Sequence, residues 1–492
     1  MRYLWLLLLF FSPVNVFSAV KPLKHEIRAV WLATIYGLDW PQATASVPGE
    51  IQKQQLSFCR ILDSLKNANF NTVFLQVRLR GDVIYRSAIE PAAKVFSGKY
   101  GILPGYDPLS FAIRECHRRG MECHAWFVTF PVGSDRIVRE QGKKSVVKRH
   151  PQLCRRFRGE WYLDPGMPGT SDYILSLVKE LVLNYDIDGI QFDYIRYPDN
   201  SAAFPDKQTY QKYGKKRNKD EWRRENITRI VTRVYDWIKA NKPWVQVSSS
   251  PIGKFSSLEG GRKEGWTAYE SVFQDVRQWL LSGKQDMILP MMYYLYDAYF
   301  PFLDQWVSIS NGRLVVPGLG AYRMRGEEGD WAQTDLTDQM DYSRYFGGKG
   351  TAFFRCSNIL DNTKGIYAEL KNNYYRYPAL LPPLSWLDDT VPQPPVNFRV
   401  EYRDDGLRLS WEKPESEIQD LTYTVYYSYT DAINKADPAR ILETGIHETE
   451  LFFPVEQETE RGYLFFVTAS SRFHIESNPS SEAYFYVSPY VK

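Results

Sequence analysis

The segment from Asp188 to Pro198 sets a carboxylate, a guanidinium and two phenols at the end of a short apolar strand. Side chains alternate between the two faces of a strand, so Ile190 and Phe192 share one face and Asp193 lies on the other. A carboxylate at the carboxyl end of a strand, opposite an apolar face covered by helices, is how a (β/α)8 barrel presents a catalytic acid or base. We therefore predict that Asp193 carries the chemistry of this protein.

The chain repeats the strand-and-helix alternation that such a barrel needs. The predicted strands are residues 27–32, 72–77, 122–127, 189–193, 245–249, 287–292, 314–317 and 351–355. The predicted helices are residues 51–67, 108–119, 171–183, 221–239, 269–281 and 335–346. This pattern predicts an α/β fold, a TIM-like (β/α)8 barrel over residues 25–377. A doubly wound open sheet is the alternative, and the lack of a Gly-rich phosphate loop before any helix weakens it.

The composition changes after Tyr377. Six prolines between residues 378 and 395 mark a linker, assigned to 378–393, and only short strand patterns follow it. Those strands predict a small antiparallel sandwich over residues 394–492. The opening residues 394–398, the Leu409-Ser410-Trp411 segment and the stretch 463–469 make this part resemble a fibronectin type III domain. The resemblance implies a spacer or a binding accessory.

The first 19 residues are typical of a secretory signal, with Arg2 before an apolar run over residues 4–11. That run is shorter than the roughly 20 residues of a membrane span, so we expect an exported protein, periplasmic or extracellular, without a permanent span. The net charge of +3 is too balanced to indicate nucleic-acid binding. The five scattered cysteines match neither a disulfide framework nor zinc spacing, and we expect buried free thiols, no metal and no cofactor.

Polar side chains in the barrel interior need an explanation, because bulky apolar residues normally fill it. Alternation sends Arg78 inward on the second strand, and His124 and Trp126 inward on the third. Burying such groups is costly unless they are paired. They therefore form either an internal network, for example Arg78 with Asp193, or part of an active site.

Loops after the predicted strands add acidic, aromatic and basic groups, and together they describe a cleft suited to a sugar chain. Glycoside hydrolysis typically needs two carboxylates. Asp193 is the first; Asp164 and Glu264 are the leading candidates for the second, ahead of Asp82 and Asp297. A neighbouring Arg or Tyr would keep Asp193 ionised, as a nucleophile or base needs, whereas an apolar setting would favour an acid. The candidate substrate-binding residues are Arg78, Asp82, His124, Trp126, Trp161, Arg196 and Tyr293.

Several short motifs make the chain resemble one known family over roughly residues 26–375. They are Arg28–Leu32, Asn71–Arg78 with Gly81-Asp82, His124–Trp126, Trp161–Gly166, Asp188–Asp193 with Tyr197-Pro198, and Ser250–Gly253. Together they resemble the bacterial glycosyl hydrolase-like ten family of secreted or lipoprotein (β/α)8 enzymes. One branch of that family acts on peptidoglycan glycan strands stripped of their peptides, which implies the same class of substrate here.

Two positions depart from that family's pattern. Tyr194 stands where many members carry a second acid, and Pro290-Met291 stands where a Pro-Gln pair is common. The first departure bears on the second carboxylate and the second on substrate contacts. Two other functions stay open: hydrolysis of another polysaccharide such as an α-glucan, and a barrel that binds glycan without cutting it.

Overall fold

The computed structural model describes residues 21–258, 265–403, 406–415, 417–418, 420–429, 432–455 and 460–487. The predicted signal segment, residues 1–19, lies outside these residues. The first twelve strands are β1 (Ile27–Leu32), β2 (Thr72–Arg78), β3 (Glu122–Val128), β4 (Pro131–Ser134), β5 (Cys154–Phe157), β6 (Glu160–Leu163), β7 (Gly189–Asp193), β8 (Gln246–Ser249), β9 (Met287–Ile288), β10 (Leu314–Val315), β11 (Gly318–Leu319) and β12 (Gly350–Phe353).

Parallel strands close into an eight-stave barrel, in the order β10-β9-β8-β7-β3-β2-β1-β12-β11. Strands β10 and β11 are two halves of one stave, interrupted at Val316 and Pro317. The ring closes through this stave: the Val316 N–H donates to the Ile288 carbonyl (3.0 Å), and the Ala352 N–H donates to the Pro317 carbonyl (3.1 Å). The predicted (β/α)8 fold is therefore confirmed. Strands β4, β5 and β6 form a separate small sheet.

Helices cover the outside of the barrel. They are α1 (Pro48–Asn67), α2 (Lys94–Ser97), α3 (Pro108–His117), α4 (Asp135–Gln141), α5 (Val146–Arg149), α6 (Pro168–Asn184), α7 (Lys207–Tyr213), α8 (Lys219–Asn241), α9 (Ala268–Ser271), α10 (Val276–Leu281), α11 (Phe300–Ser308), α12 (Gln333–Phe346), α13 (Cys356–Leu360) and α14 (Ile366–Glu369). Helix α3 starts as its sequence predicts, because the Asp107 carboxylate accepts hydrogen bonds from the Leu109 and Ser110 N–H groups and Pro108 occupies the first turn.

Some element bounds differ from the predictions for local reasons. Strands β1 and β7 have the predicted bounds, but the predicted strands 287–292 and 314–317 are interrupted at Pro290 and Pro317, since proline offers no N–H to the ladder. The predicted helix 269–281 is two helices, α9 and α10, because Phe273 between them adopts a left-handed φ of 64°. Helix α11 and the sheet β4–β6 were not predicted.

The barrel interior is a separate apolar cluster from the layer between strands and helices. Its buried members are Ile27, Ala29, Trp31, Ala33, Phe74, Trp126, Met287, Leu289, Leu314, Val316, Ala352 and Leu384. Leu384 belongs to the predicted linker, whose Leu380 N–H donates to the Lys24 carbonyl (2.8 Å). The Trp386 indole in the same segment donates to Asp286, next to the start of β9 (3.2 Å). The linker thus packs across the amino-terminal end of the barrel.

A seven-stranded sandwich follows this linker within the described residues. Its strands are β13 (Val396–Arg403), β14 (Gly406–Glu412), β15 (Thr422–Ser428), β16 (Ile441–Ile446), β17 (Glu450–Pro454), β18 (Arg461–Ser470) and β19 (Ala483–Val487). They form two antiparallel sheets, β13-β14-β17 and β16-β15-β18-β19. The fibronectin type III-like fold is confirmed.

The sandwich packs against the amino-terminal end of the barrel through paired charges. At the start of β3, the Glu122 carboxylate contacts Nε2 of His474 from the sandwich (2.7 Å). The guanidinium of Arg472, also from the sandwich, donates to the Asp186 carboxylate ahead of β7 (2.7 Å). These contacts lie at the end opposite to the one where β7 ends on Asp193.

All five cysteines are free thiols. In the part of the chain that the structure describes, no helix is long and apolar enough to cross a membrane, and no group of three or more His, Cys, Asp or Glu side chains could hold a metal ion.

The His117–Asp188 pair beneath the barrel predicts a pH dependence of stability. Burial disfavours the charged imidazole, but the ion pair and hydrogen bond with Asp188 (2.8 Å) outweigh it and raise the pKa of His117 to about 9. Because the pKa is higher in the folded than in the unfolded state, protonation of His117 stabilises the fold. This stabilisation is complete below the unfolded-state pKa of about 6.5 and is lost as the pH rises through about 9. Between pH 6 and 10, the free energy of unfolding in urea should fall by up to about 3 kcal/mol more for the wild type than for His117→Gln. Parallel curves for the two proteins would contradict this assignment.

Candidate active site

The Asp193 carboxylate lies at the carboxyl end of β7, and three donors hold it. Its Oδ2 accepts a hydrogen bond from the Trp126 indole N–H (3.0 Å). Its Oδ1 accepts from the Tyr194 backbone N–H (2.7 Å) and from the Ser250 hydroxyl (3.1 Å). Only 5% of Asp193 is exposed. The carboxylate is therefore buried and oriented before any substrate arrives.

A relay of side chains fixes the direction of the Ser250 hydrogen bond. The Ser250 hydroxyl accepts from the Gln191 amide nitrogen (2.7 Å), so its own proton is directed at Asp193. The Gln191 amide oxygen in turn accepts from the Trp31 indole at 3.4 Å. The hydrogen bonds that lead to Asp193 thus come from four staves. The donors are Trp31 on β1, Trp126 on β3, Gln191 on β7 and Ser250 directly after β8.

The electrostatics of Asp193 combine two opposed effects. Burial raises the pKa of this carboxyl, while the Arg196 charge and the hydrogen bonds from Trp126, Tyr194 and Ser250 lower it. Burial is the larger effect, so the pKa lies above its ordinary value. All of the hydrogen bonds made by its oxygens are accepted ones, which the ionised form satisfies best. The geometry therefore suits a nucleophile or general base better than a proton donor.

Two exposed aromatic rings enclose the Arg196 guanidinium beside this carboxylate. Its Cζ lies 4.7 Å from the ring centre of Tyr194 and 5.0 Å from that of Trp266. Its Nη1 donates to Asp199 (2.8 Å). Tyr194 adopts a left-handed φ of 49°, uncommon for a bulky residue, which takes its side chain out of the strand alternation.

An aromatic wall adjoins Asp193 on the other side. Tyr293 stacks on Phe354 with ring centres 5.7 Å apart, and Tyr322 packs edge-on against Tyr293 at 5.6 Å. Phe354 also contacts the Trp126 ring at 6.3 Å. Burial and the nearby negative charge of Asp193 raise the pKa of Tyr293 well above its ordinary value. Aromatic faces beside a carboxylate suit a sugar ring.

The prediction that Arg78 points into the barrel is wrong. A bulge between Gln76 and Arg78 breaks the alternation of β2, so Arg78 lies level with the outward-facing Phe127. Its guanidinium forms two 2.7 Å hydrogen bonds with Glu90, and both side chains are fully buried. Arg78 pairs with Glu90 rather than with Asp193, and its position gives it a structural role instead of a substrate contact.

His124 points inward as predicted but lies too deep for a substrate contact. It is fully buried between Phe74 and Gly189, and its Nε2 bonds to Glu122 at the amino-terminal end of the barrel (2.8 Å). It precedes Trp126 by two residues, which is roughly 7 Å along a strand. His124 therefore belongs to the network beneath the barrel.

Asp164 is fully buried, and both of its carboxylate oxygens have partners. Its carboxylate accepts from the Gly166 N–H (3.0 Å) and the Thr209 hydroxyl (2.6 Å), and it pairs with Arg155 at 3.1 Å. These bonds tie the β5–β6 hairpin to α7. This position argues against the catalytic role predicted for Asp164. Glu264, the other leading candidate, lies outside the described residues.

Asp82 lies in the loop after β2, and Trp161 lies on β6. Burial raises the pKa of Asp82 to about 7, and its side chain lines a cavity of about 380 Å³ beside Tyr36 and Tyr100. The Trp161 indole donates to Asp135 (2.8 Å). Asp297, a lesser candidate, is exposed at the surface.

Sequence reasoning did not single out Trp31, Ser250 or Phe354 as site residues. Strict alternation contained the signal for all three. Ser250 continues the inward series after Ser248, and Phe354 continues it after Ala352.

A family model for glycosyl hydrolase-like 10 matches residues 26–308, which include β7, Asp193 and most of the barrel. The chain belongs to the glycosyl hydrolase-like 10 family. It is 30% identical over 484 residues to glycosyl hydrolase YngK of Bacillus subtilis, covering 94% of each chain. It is 34% identical over 338 residues to glycosyl hydrolase DigH of Escherichia coli K12, covering 63% of this chain and 76% of that one.

The glycoside hydrolase domain of PgaB (BpsB) from Bordetella bronchiseptica aligns with 72% of this glycosyl hydrolase-like 10 chain and 99% of its own length. The sequence identity is 14% and the TM-score is 0.48.

Trp126→Phe should change the pH dependence of any turnover. The substitution removes one of the hydrogen bonds that stabilise ionised Asp193, so the pKa of this carboxyl rises and the acidic limb of kcat/KM moves up by about one pH unit. Trp161→Phe is the matched control, because its indole bonds to Asp135 instead. Superimposable pH profiles for Trp126→Phe and the wild type would show that this hydrogen bond does not tune the reacting group.

Glu90→Gln should destabilise the fold without involving the cleft. It leaves the buried Arg78 charge without its partner, which typically costs about 3–5 kcal/mol. Glu450→Gln, in an exposed pair with Arg408, is the control and should change the free energy of unfolding little. Equal unfolding free energies for Glu90→Gln and the wild type would contradict the structural role of Arg78.

Proposed function

We propose that this protein is an exported glycoside hydrolase that cleaves peptidoglycan glycan strands, with Asp193 as nucleophile or general base. The observation that carries the proposal is the buried Asp193 carboxylate, held by three donors at the open end of the barrel. Membership of the glycosyl hydrolase-like 10 family supports hydrolysis of a polysaccharide. The signal-like residues 1–19 support export.

The arrangement divides the reaction between Asp193 and a second carboxyl group. In a retaining reaction Asp193 would attack the anomeric carbon, whereas in an inverting one it would deprotonate the attacking water. The second carboxyl group would protonate the leaving oxygen in either case. Aromatic faces of Trp126, Tyr293 and Tyr194 would position the sugar rings.

Glu264 is our first proposal for the proton donor. It stands two residues before Trp266, whose ring packs on Arg196 beside Asp193. Asp82 is the second proposal, since a carboxyl with a pKa of about 7 suits proton donation near neutral pH. Asp164 is set aside because its oxygens are already engaged by Arg155, Thr209 and Gly166.

Mass spectrometry of products from peptide-free peptidoglycan strands tests the proposal. We expect the wild type to release defined oligosaccharides, and Asp193→Asn to lose about 10²–10⁴-fold in rate while still sedimenting with the strands. Glu264→Gln and Asp82→Asn, assayed in parallel, identify the donor as the variant with the larger loss. Asp164→Asn is the matched buried-carboxylate control, and its activity per folded molecule should stay near that of the wild type.

Other results would point elsewhere. Wild-type turnover by Asp193→Asn would contradict the proposed role of this carboxylate. Binding of the strands without products from any variant would favour a glycan-binding barrel. Cleavage of an α-glucan but not of peptidoglycan strands would keep the reaction and change the substrate.

A further inference from the structure

The Arg196 guanidinium is held rigidly and out of water. Only 5% of the residue is exposed, although the rings of Tyr194 and Trp266 that enclose it are 42% and 39% exposed. The two rings, with centres 4.7 Å and 5.0 Å from Cζ, keep water away from the guanidinium. Its charge is therefore weakly screened by water.

The donors of Arg196 are only partly used. Nη1 donates to Asp199, whose side chain is 63% exposed, and more weakly to the Tyr197 carbonyl at 3.4 Å. Within the described residues, Nε is buried with no acceptor and Nη2 makes no hydrogen bond. Buried donors are normally satisfied. The Nε–Nη2 edge is one that carboxylates bind through two parallel hydrogen bonds.

Arg196 also lies near the reacting group without neutralising it. Its charge is the strongest of the influences that lower the pKa of Asp193, yet no ion pair joins the two side chains. A negative substrate group at this edge would lie next to the sugar on which Asp193 acts.

We propose that Arg196, enclosed by Tyr194 and Trp266, binds a carboxylate on the sugar at or next to the cleaved bond, so that the substrate is an acidic glycan. This inference rests on the proposed function and narrows it. In peptide-free peptidoglycan the lactyl carboxyl of the muramic sugar is free, whereas in peptide-bearing strands it is an uncharged amide. A polysaccharide of uronic acids would supply the same group from another source.

The decisive experiment varies the charge of the substrate and of the protein together. Peptide-free strands are assayed before and after carbodiimide amidation of their carboxyl groups, which keeps the sugar chain and removes the charge. We expect amidation to raise the wild-type KM by about 10-fold or more, since a bidentate ion pair is lost. Arg196→Gln should show a high KM on both substrates, and the ratio of its KM for amidated strands to its KM for native strands should be near one.

Three further variants separate recognition from folding. Arg196→Lys keeps the charge but loses the planar fork, so its ratio should be intermediate. Tyr194→Glu sets a carboxylate beside Arg196 and also removes a ring that positions the sugar. KM should therefore rise for both substrates, and the ratio of the amidated to the native KM should fall toward one. Arg80→Gln, at a basic residue paired with Glu160 on a neighbouring loop, is the matched control and should keep the wild-type ratio.

The outcomes distinguish this inference from the proposed function. Equal wild-type KM values for native and amidated strands overturn the carboxylate subsite and leave the hydrolase standing. If neither substrate is cleaved, the proposed hydrolase function is contradicted. Calorimetry with Asp193→Asn then tests the carboxylate subsite separately, by the Kd values of native and amidated strands. A tenfold weaker Kd for amidated strands supports the subsite in that case, and equal Kd values overturn it. Cleavage of polyuronides but not of muramic strands keeps the subsite and changes the source of the carboxylate.

Discussion

The burial of one carboxylate inside a barrel is the constraint on which this site depends. Asp193 loses most of its contact with water, and donors must replace that hydration if the group is to stay ionised. These donors come from β3, from the residue that follows β7 and from the residue that follows β8, and Gln191 and Trp31 orient the last of them. A shift in the register of these staves would leave a buried charge uncompensated, so fold and site are specified together.

Charged side chains are paired differently at the two ends of the barrel. At the amino-terminal end, Glu122 is shared by His124, His474 and Gln246, and the linker and sandwich cover it. At the carboxyl-terminal end, Arg196 lies beside Asp193 and against two exposed rings, and its Nε has no acceptor among the described residues. The paired end therefore carries the domain contact, and the incompletely paired end is the one prepared for a ligand.

Strand alternation was enough to predict the barrel and the inward direction of Asp193 and Trp126. It failed at Arg78 because one bulge turns that side chain outward, and no residue type in β2 announces the bulge. It could not assign Asp164 either, whose partners Arg155 and Thr209 lie on other segments and meet it only in the folded chain. Local patterns predicted the elements, whereas pairing across segments decided which carboxylates are free to react.

Chemical rescue of Asp193→Ala tests the central claim, that this carboxylate supplies the attacking or deprotonating group, most directly. Azide is a small anion that fits the space left by the carboxylate. Turnover of peptide-free strands should be abolished in this variant and partly restored by azide, with a glycosyl azide as product if Asp193 is the nucleophile and faster hydrolysis if it is the base. Turnover by Asp193→Ala at the wild-type rate without azide would contradict the account.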